Sequence, residues 1–152
     1  MEFGGKVSSI LAHQNTPTVW SVAPNTMVFD AIQLMDKKNV AALPVLAHGK
    51  LVGIVSERDY TRKVILKGRA SKDTPVGDVM TKQVVTVNPS TGITECMQTM
   101  TEMHVRHLPV LDGTNLIGIL AISDILNYLI WAQRNTIDNL ERYTLAEIKD
   151  KE

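Results

Sequence analysis

A single cysteine, Cys96, is all the thiol this 152-residue chain has. One thiol excludes an intrachain disulfide framework and fits a reducing compartment. No apolar run approaches the ~20 residues of a membrane-spanning helix. Charge of either sign is not in surplus: 16 Lys and Arg face 16 Asp and Glu, for a formal net charge of zero. That argues against nucleic acid as the main partner, because duplex binding rests on a basic excess. Both glycine-rich phosphate motifs, GxGxxG and GxxxxGK[ST], are missing, as is any Ser-His-Asp, Cys-His or metal constellation. Met1–Lys6 lacks the charged-then-apolar layout of a secretory signal. These absences predict a soluble, cytoplasmic, non-enzymatic protein with neither membrane nor nucleic acid as partner. Its length suits one domain with a proper core.

What the chain does have is the same unit twice. Val22–Tyr60 lies over Val87–Ile125 without a gap, and 14 of the 39 pairs are identical. They include Pro24/Pro89, Thr26/Thr91, Met35/Met100, Leu43–Leu46 over Leu108–Leu111, Gly53/Gly118 and Asp59/Asp124. Two copies predict two similar units, each burying an apolar face that neither could bury alone, with clefts between them suited to ligands.

Each copy reads β-α-β-β-α. A β-rich run (Thr18–Val22; Val84–Val87) leads to a Pro and to a Thr suited to N-capping. A helix follows with Val28, Ala31, Ile32 and Met35 on one face, mirrored by Ile93, Cys96, Met97 and Met100. Two apolar runs, Leu43–Leu46 with Leu51–Val55 and Leu108–Leu111 with Leu116–Leu120, are joined by Gly-containing connections that signal hairpins. Second helices begin after Ser56 and Ala121. Val7–His13 has helical spacing, and Lys67–Pro75 is polar and reads as a linker. The divisions are a first repeat at 17–68, a second at 76–131, an N-terminal segment 1–16 and a helical tail 132–152. The tail's apolar stripe (Leu126, Leu129, Ile130, Ile137, Leu140, Tyr143, Leu145) needs a cover, either its own domain or a second copy.

The sharpest local signal is Gly53-Ile54-Val55-Ser56-Glu57-Arg58-Asp59. A strand stops, Ser56 sits at a helix N-terminus and Asp59 follows one turn later. Free N–H groups and the helix dipole suit an anion there. The carboxylate can accept hydrogen bonds from two vicinal ribose hydroxyls. The same residues also make an ordinary cap, the commoner reading of the motif alone. The second copy reads Gly118-Ile119-Leu120-Ala121-Ile122-Ser123-Asp124. Keeping Asp while the hydroxyl is lost suggests a carboxylate used for more than capping, and two unequal sites.

Strand-Pro-x-Thr, helix, Leu-Pro-Val and Gly-Ile-Val-Ser-x-x-Asp, given twice, resemble the tandem cystathionine-β-synthase (CBS) domain pair, or Bateman module. Ser56–Tyr60, Asp78–Thr81 and Arg106–Val110 are similar to its stand-alone prokaryotic form, and the likeness covers residues 7–131. The resemblance implies an α/β (α+β) fold of two β-α-β-β-α repeats with pseudo-twofold symmetry, an N-terminal helix and a long C-terminal helix. It implies a regulatory module that binds an adenine nucleotide, AMP foremost, with ATP, ADP, NAD(H) or S-adenosylmethionine as alternatives. No metal is required. On the family pattern Asp59 holds the ribose with Ser56 beside it, and adenine lies near Met80 and Thr81 against Val105. Phosphates meet the N–H groups of Ser56–Arg58, with Arg58 beside them, and the side chains of Arg106 and His107. The opposite cleft uses Asp124 with Thr18, Trp20 and the Val40–Ala42 segment. There the pattern is broken, because Ala121 replaces the hydroxyl and Ala41-Ala42 replace the Arg-His pair. That cleft is expected to bind more weakly, to bind a different nucleotide, or to stay empty.

His104 and His107 lack further ligands nearby to complete a metal site. Cys96 and the methionines of its helix read as core. The resemblance further implies a homodimer and a regulated protein that the sequence does not name. Two other readings are an interaction adaptor with vestigial clefts and an enzyme acting on a nucleotide.

Overall fold

The computed structural model describes residues 4–14 and 19–149; Pro17 and Thr18 lie outside the described residues. The chain opens with α1 (Val7–Gln14), and the first unit follows with α2 (Val28–Lys38), β1 (Ala42–Ala47), β2 (Lys50–Ser56) and a short α3 (Glu57–Asp59). α3 widens into a π-helical stretch, Tyr60–Ile65. A 3₁₀ turn, Val76–Asp78, leads to α4 (Ile93–Met103), β3 (His107–Asp112), β4 (Asn115–Ala121) and α5 (Ile122–Lys149). The result is an α+β pair of tandem units with pseudo-twofold symmetry, β2 against β4 at the junction.

The repeat is exact at the level of register. Both hairpins pair Leu with the residue two before the following helix (Leu43 with Val55, Leu108 with Leu120), and both bulge at the same place, Val45/Leu46 and Val110/Leu111. The hairpin turns are tighter than the four-residue connections expected from sequence. In the first, His48 and Gly49 take φ of 52° and 76°, the paired left-handed geometry of a two-residue turn whose twist matches the strands.

Two expectations are corrected. The β-rich run that opens each unit is a single parallel bridge, Val22 to Val45 and Val87 to Val110. It stops because the next N–H turns back, Ala23 to Thr26 Oγ1 and Asn88 to Thr91 Oγ1, each at 3.1 Å. The prolines that follow have no N–H to offer a ladder. Those same bonds remove the threonines from capping. Met27 and Gly92 hold the N-cap positions of α2 and α4 without side-chain bonds.

The orphan N–H groups of α2 and α4 are met by backbone from elsewhere. Val28 donates to Thr74 O (2.8 Å) and Phe29 to Ser71 O (3.0 Å), so the polar linker caps α2. Ile93 donates to Gly5 O (3.2 Å), so the N-terminal segment does the same for α4. The match extends to the reverse bonds, Val76 N–H to Thr26 O and Val7 N–H to Thr91 O.

The cores divide accordingly. Val76 and Val79 lie in the cluster of Val28, Ala31, Met35, Leu43, Val45 and Val55. Val7 and Ile10 lie with Ile93, Cys96, Met100, Leu108, Val110, Leu120 and Ile125. Full burial of such a side chain contributes ~1.5–3 kcal/mol, so α1 is a structural part of the second unit although it precedes the first.

The first turns of α5 pack on its own domain, and its distal part does not. Ile125 is buried, and Tyr128 and Leu129 pack on the second core. Trp131 and Tyr128 pack around the His13 ring of α1. The helix then runs on to Lys149 with Ile137, Leu140, Leu145 and Ile148 exposed. No helix among the described residues is long and apolar enough to cross a membrane.

Candidate functional site

Ser56 ends β2 with extended geometry (φ −127°, ψ 166°) and caps α3. Its Oγ accepts the Asp59 N–H at 3.2 Å and donates to Asp59 Oδ2 at 3.1 Å. Asp59 Oδ2 also accepts the Ser56 N–H at 2.9 Å, which completes a capping box. Lys63 Nζ pairs with Asp59 Oδ1 at 2.9 Å and donates to Val79 O at 2.9 Å. In the second unit Asp124 Oδ2 accepts the Ala121 N–H at 2.7 Å. Each aspartate therefore caps through its own carboxylate, and retention of both is explained by capping whether or not the hydroxyl is present. The inference that their retention implied a further use does not stand on retention alone.

Ser56 opens onto a cavity of about 320 Å³ lined by Ile54, Ser56–Asp59, Thr81, Gln83–Val85 and His104–His107. Of the residues expected there, Ser56, Arg58, Asp59, Thr81, Val105, Arg106 and His107 are brought together. Met80 is not in the lining. It belongs to the first core and covers Gly53, where the absence of a side chain makes room for its sulfur. Thr81 is pinned to β2 by two bonds, its N–H to Ile54 O (2.8 Å) and Ile54 N–H to its O (3.0 Å). Two of the three N–H groups expected to meet a phosphate are already engaged, since Ser56 donates to Asp59 and Glu57 to Ala41 O. Positive charge in this cleft comes from the side chains of Arg58 and Arg106.

His104 lines the same cleft and was not singled out for it from sequence. It ends α4 in left-handed geometry (φ 54°), as Asn39 ends α2 (φ 53°). A residue just past the last apolar position of a helix is the signal that would have found both. Gln83 and Val84 carry no such signal, because their place depends on the Thr81 bridge.

A second cavity, about 340 Å³, is lined by Leu11, Gln14, Val19, Trp20, Asn39–Leu43, His107, Ile117–Ile119, Ala121, Ser123 and Asp124. It collects the expected Trp20, Val40, Ala42 and Asp124. Lys38 Nζ sits 3.9 Å from the Trp20 ring centroid, over one face of the indole. His107 and Ala41 line both cavities and form part of the wall between them. Burial lowers the His107 pKa below its ordinary 6.5; Arg106 adds to this, while Asp124 and Glu57 pull the other way. No group of three or more His, Cys, Asp or Glu among the described residues could hold a metal ion.

These two clefts sit in a chain whose relatives are plain. The CBS domain family matches residues 7–65 and 76–130. The mitochondrial CBS domain-containing protein CBSX3 of Arabidopsis thaliana is 39% identical over 130 residues, 82% of this chain and 63% of its own length. The CBS domain-containing protein YhcV of Bacillus subtilis is 36% identical over 110 residues, 72% of this chain and 78% of its own. The chain thus spans a little under two thirds of the Arabidopsis relative. Among solved structures, a CBS-domain protein from Burkholderia ambifaria superposes with a TM-score of 0.82 at 45% identity, covering 85% of this chain and 96% of that one. CBSX2, solved in complex with AMP, superposes at 0.70 with 30% identity, covering 86% and 99%. With both repeats matched and the paired clefts between them, the chain belongs to the CBS-domain family as a tandem pair.

Proposed function

We propose that this protein is a regulatory module that senses an adenine nucleotide, AMP foremost, in the Ser56/Asp59 cleft and passes its ligand state to a partner protein. One observation carries the reading: a cavity of about 320 Å³ gathers two carboxylates (Glu57 and Asp59), two guanidinium groups and the apolar Val84, Val85 and Val105. A carboxylate suits a ribose diol, Arg suits phosphate, and the valines suit the faces of a base. CBSX2 was solved with AMP, which supports the choice of nucleotide. Asp59 Oδ1 is engaged by a Lys63 that is itself 44% exposed, so a ribose hydroxyl competes with a weak, solvent-screened pair.

An adaptor with vestigial clefts is disfavoured by two open cavities of similar size. The module acts without catalysis, as a homodimer in the cytoplasm. The mitochondrial name of the Arabidopsis relative makes subcellular fractionation the check on location.

The test is calorimetric titration of AMP into wild type and Arg106→Ala. Arg106 is exposed and outside both cores, so its loss should leave the fold intact. We expect AMP binding roughly tenfold or more weaker in the variant, the worth of a hydrogen bond to a charged group. Unchanged affinity, or no binding to wild type, refutes the reading.

A further inference from the structure

One ammonium joins the Ser56 cleft to the chain that leads out of the first unit. Lys63 Nζ lies 2.9 Å from Asp59 Oδ1 and donates to Val79 O at 2.9 Å. Asp59 lines the cleft. Val79 is buried in the first core, two residues before Thr81, which lines the cleft as well and is bonded to β2. Lys63 stands in the π-helical stretch Tyr60–Ile65, which is also tied to the linker, Tyr60 Oη to Ser71 Oγ at 3.2 Å and the Arg69 N–H to Val64 O at 3.0 Å. The second unit has no counterpart. Past the end of the aligned block the place of Lys63 is taken by Tyr128, whose ring packs with His13 and Trp131, and Asp124 has no ion pair among the described residues. Capping accounts for the two aspartates and leaves Lys63 unexplained. A carboxylate offers about four lone-pair sites. Asp59 Oδ2 accepts the Ser56 N–H and Oγ–H, and Oδ1 accepts Lys63. About one site remains, and a vicinal diol needs about two. The bond that yields is the one to Lys63, since a half-exposed ion pair is worth less than the capping bonds beneath it.

We propose that Lys63 is a ligand-operated latch: a ribose diol on Asp59 displaces it, and its release carries the ligand state out of the cleft. The proposal rests on the reading above that a ribose meets Asp59, and it adds how occupancy leaves the site. A ligand with one ribose hydroxyl fits the remaining lone pair and leaves the latch closed. Once the carboxylate is taken, a single bond to Val79 O is left to hold a long, half-exposed side chain against its rotamer freedom. Val79 O then loses a charge-assisted bond, and the chain that feeds Thr81 and the second unit is held less firmly. The freed ammonium joins exposed Arg62 and Lys67, neither of them ion-paired among the described residues, beside exposed Ile65 and Leu66. Empty and filled states therefore differ on the outer surface as well as in the cleft.

The experiment acylates the full chain with a brief pulse of acetic anhydride, alone and saturated with AMP or 2′-deoxy-AMP, and reads each lysine by mass spectrometry. We expect AMP to raise the Lys63 rate about twofold or more while the exposed Lys37 and Lys50 stay unchanged. 2′-Deoxy-AMP should leave Lys63 at its ligand-free rate. Calorimetry of Lys63→Met, which keeps an apolar stem and lies outside both cores, checks the same exchange. With the competing cation gone, AMP should bind roughly two- to fivefold tighter, the worth of an exposed ion pair, and 2′-deoxy-AMP should bind as before. A lysine that only positioned Asp59 would, on removal, weaken both nucleotides. AMP that binds without raising the Lys63 rate, 2′-deoxy-AMP that raises it equally, or weaker AMP binding by Lys63→Met would each overturn the latch and leave the sensing function standing. If AMP does not bind the wild type, both fail.

Discussion

Asp124 Oδ2 accepts the backbone N–H of Ala121 at 2.7 Å, the same bond that Asp59 Oδ2 accepts from Ser56 at 2.9 Å. The carboxylates are structural before they are anything else. Asp124→Ala should therefore cost about 1 kcal/mol of stability, the usual worth of a side-chain bond at a helix N-terminus. Asp59→Ala should cost about 1–2 kcal/mol, since it also breaks the reciprocal bond with Ser56 Oγ. Urea denaturation of both variants measures this. A loss of nucleotide binding in Asp59→Ala is then interpretable only beside that stability change, which is why Arg106→Ala is the cleaner probe.

Equivalent glycines are not equivalent in tolerance. A Cβ on Gly53 would lie 2.5 Å from Met80 Sδ and 3.0 Å from the backbone oxygen of Thr81. A Cβ on Gly118 would meet only Leu11 Cδ2, at 3.2 Å. We expect Gly53→Ala to destabilise by about 1–3 kcal/mol and Gly118→Ala by under about 1 kcal/mol, because a flexible leucine end yields and a bonded backbone does not. Thermal unfolding of the pair settles the order.

His107 should make stability depend on pH. Its native pKa lies below the ordinary 6.5, chiefly through burial, so the unfolded chain takes up a proton before the native one does. The stabilisation is present above pH 6.5 and is lost as pH falls through and below that value. Between pH 7.5 and 5.5 the melting temperature of wild type should fall more than that of His107→Gln. Parallel curves for the two proteins would contradict this.

Cys96 is fully buried against Ile93 and Met100, and burial, with Glu95 adding to it, pushes its thiol up to about 11. Neither access nor thiolate is available in the native state. Ellman's reagent should react with about one thiol per chain in denaturant and only at the rate of unfolding without it. Prompt reaction with native protein would mean that the α4 core opens.

The exposed apolar stripe of α5 should hold copies together. Leu126, Ile130, Ile137, Leu140 and Ile148 fall on one side of the helix and are each about half exposed or more. The flanking charges, Arg134, Asp138, Glu141, Arg142, Glu147 and Lys149, sum to zero and do not oppose self-pairing. Sedimentation should give a homodimer for the full chain, the commonest closed assembly, and a shift toward monomer when the chain is cut after Gln133. A full chain that sediments as a monomer would count against it.

Much of this protein is legible in its residues because the relevant physics is local. Apolar periodicity places α2 and α4, and Leu-Pro-Val with a glycine-bearing turn places each hairpin. A constant offset between copies gives two units with clefts between them, and the loss of Ser and Arg-His from one set marks those clefts as unequal. Other features are settled by contacts between residues far apart in sequence. Met80 covers a glycine in the first core and leaves the cleft wall, while His107 lines both cavities. The threonine hydroxyls are taken by the N–H groups of Ala23 and Asn88, and carbonyls of the linker and of the N-terminal segment meet the first N–H groups of α2 and α4 instead. Val7 and Ile10 cross to the second core, and Val76 and Val79 to the first. None of these can be read from a window of sequence, since a buried N–H or methyl group takes whichever partner the whole chain brings to it.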